Sequence, residues 1–215
     1  MKKITISIFV VSTLTIAGCK SIYYSTMETF GYHKRDLLVS RVKDARDAQE
    51  DAKEQFQSAL EKFSAVVEFQ GGKLEEKYNQ LNGELDKSET KARSVRSHIA
   101  SVESVAKALF KEWESELDQY TNDKLRRTSE QKLEQTRQRY AQLIGAMKRA
   151  ESKIEPVLSA FRDQVLFLKH NLNAQAIASL QDELASVETD IAALIKEMEV
   201  SIAEADEFIK AITKE

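Results

Sequence analysis

The 215-residue sequence has one cysteine, one proline and six glycines, and only 7% of it is aromatic. A single cysteine excludes an internal disulfide, a CxxC redox pair and a thiolate metal site. With 31% of residues charged and so few helix breakers, the composition does not suit a turn-rich sheet domain and favours long helices that each bury a narrow stripe. A cationic surplus is missing too: 32 Lys and Arg face 35 Asp and Glu. Binding to phosphate backbones needs clustered excess cations, so nucleic acid is not expected as a partner. Nor does any apolar run reach the ~20 residues that a helix needs to cross hydrocarbon.

What is present begins at the N-terminus. Lys2 and Lys3 precede a short, mostly apolar run from Ile4 to Ala17, which ends in Ile16-Ala17-Gly18-Cys19. Two cations before such a run read as a secretory signal. The lone cysteine directly after Ile-Ala-Gly resembles a bacterial lipobox. Residues 1–18 are therefore expected to be a lipoprotein signal peptide cut between Gly18 and Cys19, with Cys19 carrying the lipid. Removing two lysines and no acid leaves 30 basic and 35 acidic residues, a net charge of −5. Residues 19–33 then form the acylated cysteine and an aromatic connector with Tyr23, Tyr24, Phe30 and Tyr32. Such rings suit either the headgroup level of a membrane or the end of a helical body.

The remainder, 34–213, carries four apolar stripes whose positions alternate four and three residues apart. That 3.5-residue period keeps a seam facing a partner helix over many turns. The first stripe passes through Leu38, Val42, Ala45, Gln49, Ala52, Phe56, Ala59, Phe63 and Val66, and Gly71-Gly72 closes it. The second runs from Leu74 through Leu81, Leu85, Ser88, Ile99 and Leu109 to Trp113, in phase across Asn82-Gly83, so one continuous helix is expected there. Thr121-Asn122-Asp123 supplies capping side chains for the second reversal. The third stripe includes Leu133, Tyr140, Leu143, Met147, Ile154, Val157, Phe161, Gln164, Leu168 and Leu172. Pro156 lies inside it and predicts a kink near Ser152 to Pro156 without a break. Asn171-Leu172-Asn173 turns the chain into a fourth stripe, Ile177 through Leu184, Ile191, Met198, Ile202 and Phe208 to Ile212.

The expected fold is all-α, a long antiparallel coiled-coil-like four-helix bundle in up-down-up-down order. Its helices are expected at about 34–70, 73–120, 123–170 and 174–213, with lengths of ~36, 48, 48 and 40 residues at 1.5 Å per residue. The runner-up is a pair of helical hairpins that completes its core as a homodimer.

Chemistry-bearing patterns are scarce. Gly71-Gly72-Lys73-Leu74 lacks the spacing and the hydroxyl residue of a P-loop. His33, His98 and His170 form no metal-binding pair, and Ser and Thr nucleophiles have no evident His partner. No catalytic residue, metal site or cofactor is expected, and the protein is read as non-enzymatic. Arg126, Arg127, Arg137 and Arg139 make the most basic patch, but Glu130 and Glu134 interleave with it as on a solvated face. Phe161, Val165, Leu166, Phe167 and Leu168 cover more than one stripe. They predict either burial at a crowded bundle end against the 22–32 aromatics or a surface where a partner docks.

Tyr23-Tyr24, the block Phe30-Gly31-Tyr32-His33-Lys34-Arg35-Asp36, and Ala160 through Asn173 resemble the small Gram-negative lipoproteins grouped as domain of unknown function 2959. The resemblance extends from about Tyr23 to Ile212. It implies a helical envelope protein and carries no activity or catalytic residue with it. Lipoprotein sorting in such bacteria retains proteins with Asp after the acylated cysteine. Lys20 stands there, so the periplasmic face of the outer membrane is expected, with inner-membrane anchoring as the alternative. The expected role is a membrane-tethered scaffold or adaptor for an unidentified envelope protein; the second is a chaperone-like holder of unfolded clients. Radiolabelled palmitate is expected to enter the protein in growing cells and to be lost on Cys19→Ala; labelling that survives the substitution would remove the lipid anchor.

Overall fold

The computed structural model describes residues 34–68 and 73–214. The expected signal peptide, its expected cleavage site at Gly18 and Cys19, the connector and the expected Gly71-Gly72 reversal lie outside the described residues. Four helices make up nearly all of the rest: α1 Lys34–Val67, α2 Leu74–Leu117, α3 Asp123–His170 and α4 Ala174–Thr213. No strand occurs among the described residues. The chain is all-α, as its stripes predicted.

Local chemistry explains the helix ends. Asn122 Oδ1 accepts from the backbone N–H of Lys124 (3.0 Å) and Leu125 (3.2 Å), and Asn173 Oδ1 accepts from that of Ala176 (3.0 Å). Each asparagine thus satisfies donors that the first helical turn leaves over. At the end of α3, Asn171 Nδ2 donates to the Phe167 carbonyl at 2.9 Å, with Lys169 and His170 in the last turn. Helices α1 and α2 stop at Val67 and Leu117, three residues short of the expected 70 and 120. Beyond Leu117 every residue to Thr128 is exposed, so no burial draws the α2 helix onward.

Each helix packs against two neighbours: α1 on α2 and α4, α3 on α2 and α4. Cross-links fix the directions. Lys34–Glu112 and Lys91–Asp51 run α1 against α2; Lys148–Glu103 and Arg96–Glu155 run α2 against α3. Arg46–Asp206, with Gln181 Nε2 donating to the Val67 carbonyl, runs α1 against α4. The result is an up-down-up-down bundle whose four seams close within one chain. Arg35 near the start of α1 donates to the Ile212 carbonyl near the end of α4, tying both termini of the bundle together.

The core follows the stripes with three departures. Val165, not Gln164, is buried in α3, because a four-then-three step from Phe161 also reaches Leu168 and spares burying an amide. Ser201, not Ile202, takes the core position in α4, and Leu172 lies exposed in the turn. Helix α3 runs unbroken through Pro156, which is solvent-exposed. Burial of Ile154, Val157 and Leu158 on either side keeps the helix in phase although Pro supplies no N–H.

Polar groups inside the core are few. Ser88 and Thr136 return their hydroxyls to backbone carbonyls one turn back, those of Glu84 and Lys132. Gln49 and Ser201 are fully buried with unpartnered side-chain atoms. The Arg46–Asp206 bridge, about one turn away on both helices, puts them near the same level. Glu84 is buried against Gln55 (2.7 Å) and Lys87 (2.9 Å). Burial pushes its pKa up, but hydrogen bonds from Lys87 and Gln55, with the charges of Lys87 and Lys62, outweigh that and hold it below the usual value.

Gly83 sits inside α2 as the phase argument requires, and a Cβ placed there would meet nothing within 4 Å. Gly83→Ala is therefore expected to raise the unfolding free energy by about 0.5–1 kcal/mol in urea titrations, through backbone entropy alone; an unchanged or lower midpoint would contradict that reading.

Candidate interaction surface

The five residues 161–168 singled out in the sequence divide between core and surface. Phe161, Val165 and Leu168 are 0–3% exposed, and Phe161 meets Phe63 edge-on with ring centroids 6.3 Å apart. Leu166 and Phe167 turn outward at 52% and 40% exposure, with Leu172 beside them in sequence at 45%. Helical geometry forces this division, because positions 166 and 167 lie off the 161–165–168 face. The partner-surface reading therefore narrows to Leu166, Phe167 and Leu172.

Their position in the bundle decides what can cover them. Helices α1 and α3 run the same way, and the Phe63–Phe161 contact puts Leu166 level with the last turn of α1. The start of α1 at Lys34 is then about 50 Å away at 1.5 Å per residue. Phe30 and Tyr32 precede Lys34 by four residues or fewer, a reach of about 14 Å fully extended, and Tyr23 reaches about 40 Å at most. The 22–32 aromatics of the expected crowded end lie outside the described residues.

The basic patch is divided as well. Arg137 lies 2.6 Å from Glu114 and over the Phe110 ring at 5.4 Å, where Tyr140 also packs edge-on at 5.4 Å. Burial, then the charge of Glu103, pushes the Tyr140 hydroxyl up to about 12, so it stays protonated at neutral pH. Arg139 faces the other side, in a hollow of about 270 Å³ between α3 and α4 with Gln142, Glu204, Glu207 and Phe208. Arg126 and Arg127 stand apart near the α2–α3 turn, both exposed. Four arginines close in sequence thus serve three separate surroundings, and no cluster forms that would hold a polyanion.

The α2–α3 turn itself is a feature the sequence reading passed over. Helix α1 begins beside Glu112, to which Lys34 bonds at 2.7 Å, and α4 ends beside Arg35. Helices α2 and α3 continue past that level as a two-helix tip, braced by the Trp113 indole N–H donating to Ser129 Oγ at 2.8 Å. The first buried residue of α3 is Leu133, ten residues in. The signal was in the expected lengths: two helices of ~48 residues cannot end flush with neighbours of ~36 and ~40. Among the described residues no group of three or more metal-ligating side chains occurs, and no helix is long and apolar enough to cross a membrane.

If Leu166 is surface and Leu168 core, the two must respond differently to charge. Leu166→Glu is expected to leave the far-UV circular dichroism and the melting temperature essentially unchanged. Leu168→Ala should cost about 2–5 kcal/mol in denaturant titrations. Equal losses from both would return Leu166 to the core.

The heptad stripes and the closed bundle are shared by many unrelated helical proteins, so family membership rests on sequence comparison. No curated protein matches the chain. The family described as "Protein of unknown function (DUF2959)" matches residues 23–212, which takes in all four helices almost to the end of α4. The chain belongs to that family.

Proposed function

We propose that the protein is a non-enzymatic, lipid-tethered helical adaptor of the bacterial envelope, held through Cys19 and offering a docking surface at the opposite end of its bundle. The observation that carries this reading is the distance of about 50 Å between Lys34, to which residues 1–33 lead, and the outward Leu166, Phe167 and Leu172. A bundle with its core closed inside one chain is a stiff spacer, and the apolar side chains it leaves outside are those least explained by folding. Three acyl chains would make the tether effectively permanent at ~0.8 kcal/mol per buried methylene. Lys20, rather than Asp, after the modified cysteine directs the proposal to the periplasmic face of the outer membrane. The partner is an envelope protein with a complementary apolar patch. No observation favours the client-holding alternative, which needs an open groove between helices.

Crosslinking in intact cells from a photoreactive residue at position 163, beside the patch, tests the reading. One or two discrete adducts are expected, and Leu166→Glu should abolish them. A diffuse smear of adducts that is insensitive to that substitution would favour a client holder instead.

A further inference from the structure

We propose that the α2–α3 tip, from Trp113 to Lys132, rests on the headgroups of the membrane to which the protein is tethered. The inference builds on the lipid-anchor reading above and concerns the other end of the bundle. Three observations carry it. The tip projects two to three helical turns, about 10–15 Å, beyond the start of α1 and the end of α4. Residues 1–33 join the bundle at that end, through Lys34, and the proposal sets a bilayer holding Cys19 against it. The tip also bears two exposed apolar side chains, Leu125 at 56% and Tyr120 at 42%, and among the described residues Leu125 is the most exposed large hydrophobic.

The surrounding charges fit a shallow contact. Lys124, Arg126 and Arg127 flank Leu125 and make no ion pair among the described residues. The helices behind them pair cations across their seams instead, as in Lys148–Glu103 and Arg96–Glu155. Glu114, Glu116, Asp118, Asp123 and Glu130 outnumber the four cations of the tip by one, so attraction to anionic lipid alone would not hold it. Tethering removes that need, because it turns contact into an intramolecular event at high effective concentration. Leu125 then enters the interface, and Tyr120 takes the amphipathic place that Tyr favours there. A tip so placed keeps the bundle upright and points Leu166 and Phe167 away from the membrane.

Trp113 is the only tryptophan in the sequence but lies at the base of the tip, so the reporter is moved to the exposed turn by Tyr120→Trp in a Trp113→Phe background. The full lipidated protein is reconstituted into phosphatidylcholine–phosphatidylglycerol vesicles, with and without bromine near the carbonyl end of the acyl chains. Emission from the tryptophan at position 120 is expected to be quenched in the brominated vesicles. Leu125→Glu, at an exposed position, should lose the quenching while the protein still floats with the vesicles and keeps its circular dichroism spectrum. Flotation of the reporter protein without quenching overturns the tip contact and leaves the anchor standing; it is also the outcome if residues 22–32 cover the tip. Equal quenching in Leu125→Glu overturns it as well. Failure to float overturns the anchor and the tip contact together.

Discussion

Four apolar seams with a 3.5-residue repeat must each face a neighbour, and an antiparallel square is the arrangement in which one chain supplies all four faces. Everything else in the molecule follows from that closure. Phe56, Phe63, Leu143, Met147, Ile154 and Leu194 have almost no exposure because each seam is covered from two sides. Once the core is satisfied internally, apolar side chains that remain outside become informative. They collect at the two ends, Tyr120 and Leu125 at one and Leu166, Phe167 and Leu172 at the other, with Val200 alone on a flank.

Unequal helix lengths make those ends different. The first and fourth helices are 34 and 40 residues long, the second and third 44 and 48. All four reach the far end, so the excess appears as a two-helix tip where the chain enters. Surface ion pairs such as Arg162–Glu89, at 2.7 Å, and Arg96–Glu155 set the alignment more than they stabilise it. Exposed pairs contribute about 0–1 kcal/mol each and weaken with salt. Gln49 and Ser201 act against stability, since unpartnered buried polar groups cost about 1–3 kcal/mol each.

A spacer with two distinct ends gives the adaptor proposal its physical content. The flanks are dense with solvated acids and bases, and among the described residues the exposed large apolar side chains, Val200 apart, lie at the ends. A tether at one end and a docking patch at the other would hold a partner at a set height above the membrane, and stiffness matters because a flexible body of the same length would average that height away. Within the bundle, the perturbed groups serve packing: Glu84 is held by Gln55 and Lys87 at a helix seam, and Tyr140 is raised by burial beside Phe110.

Periodicity is a local property of a chain, and it determined the fold class, the continuity of the second helix through Gly83, the persistence of the third through Pro156, and the asparagine caps. Side chains on the stripes at Leu38, Phe63, Ile99 and Leu168 were legible for the same reason, since their burial needs only some partner helix. Position off the stripe depends on which neighbour stands beside it and at what height. Only the tertiary structure could therefore decide that Val165 displaces Gln164 and Ser201 displaces Ile202, that Leu166 and Phe167 face outward, and that four neighbouring arginines part company. It also decided which end of the bundle each exposed patch occupies, because that requires the register between helices, and register is set by contacts 16 to 177 residues apart in sequence.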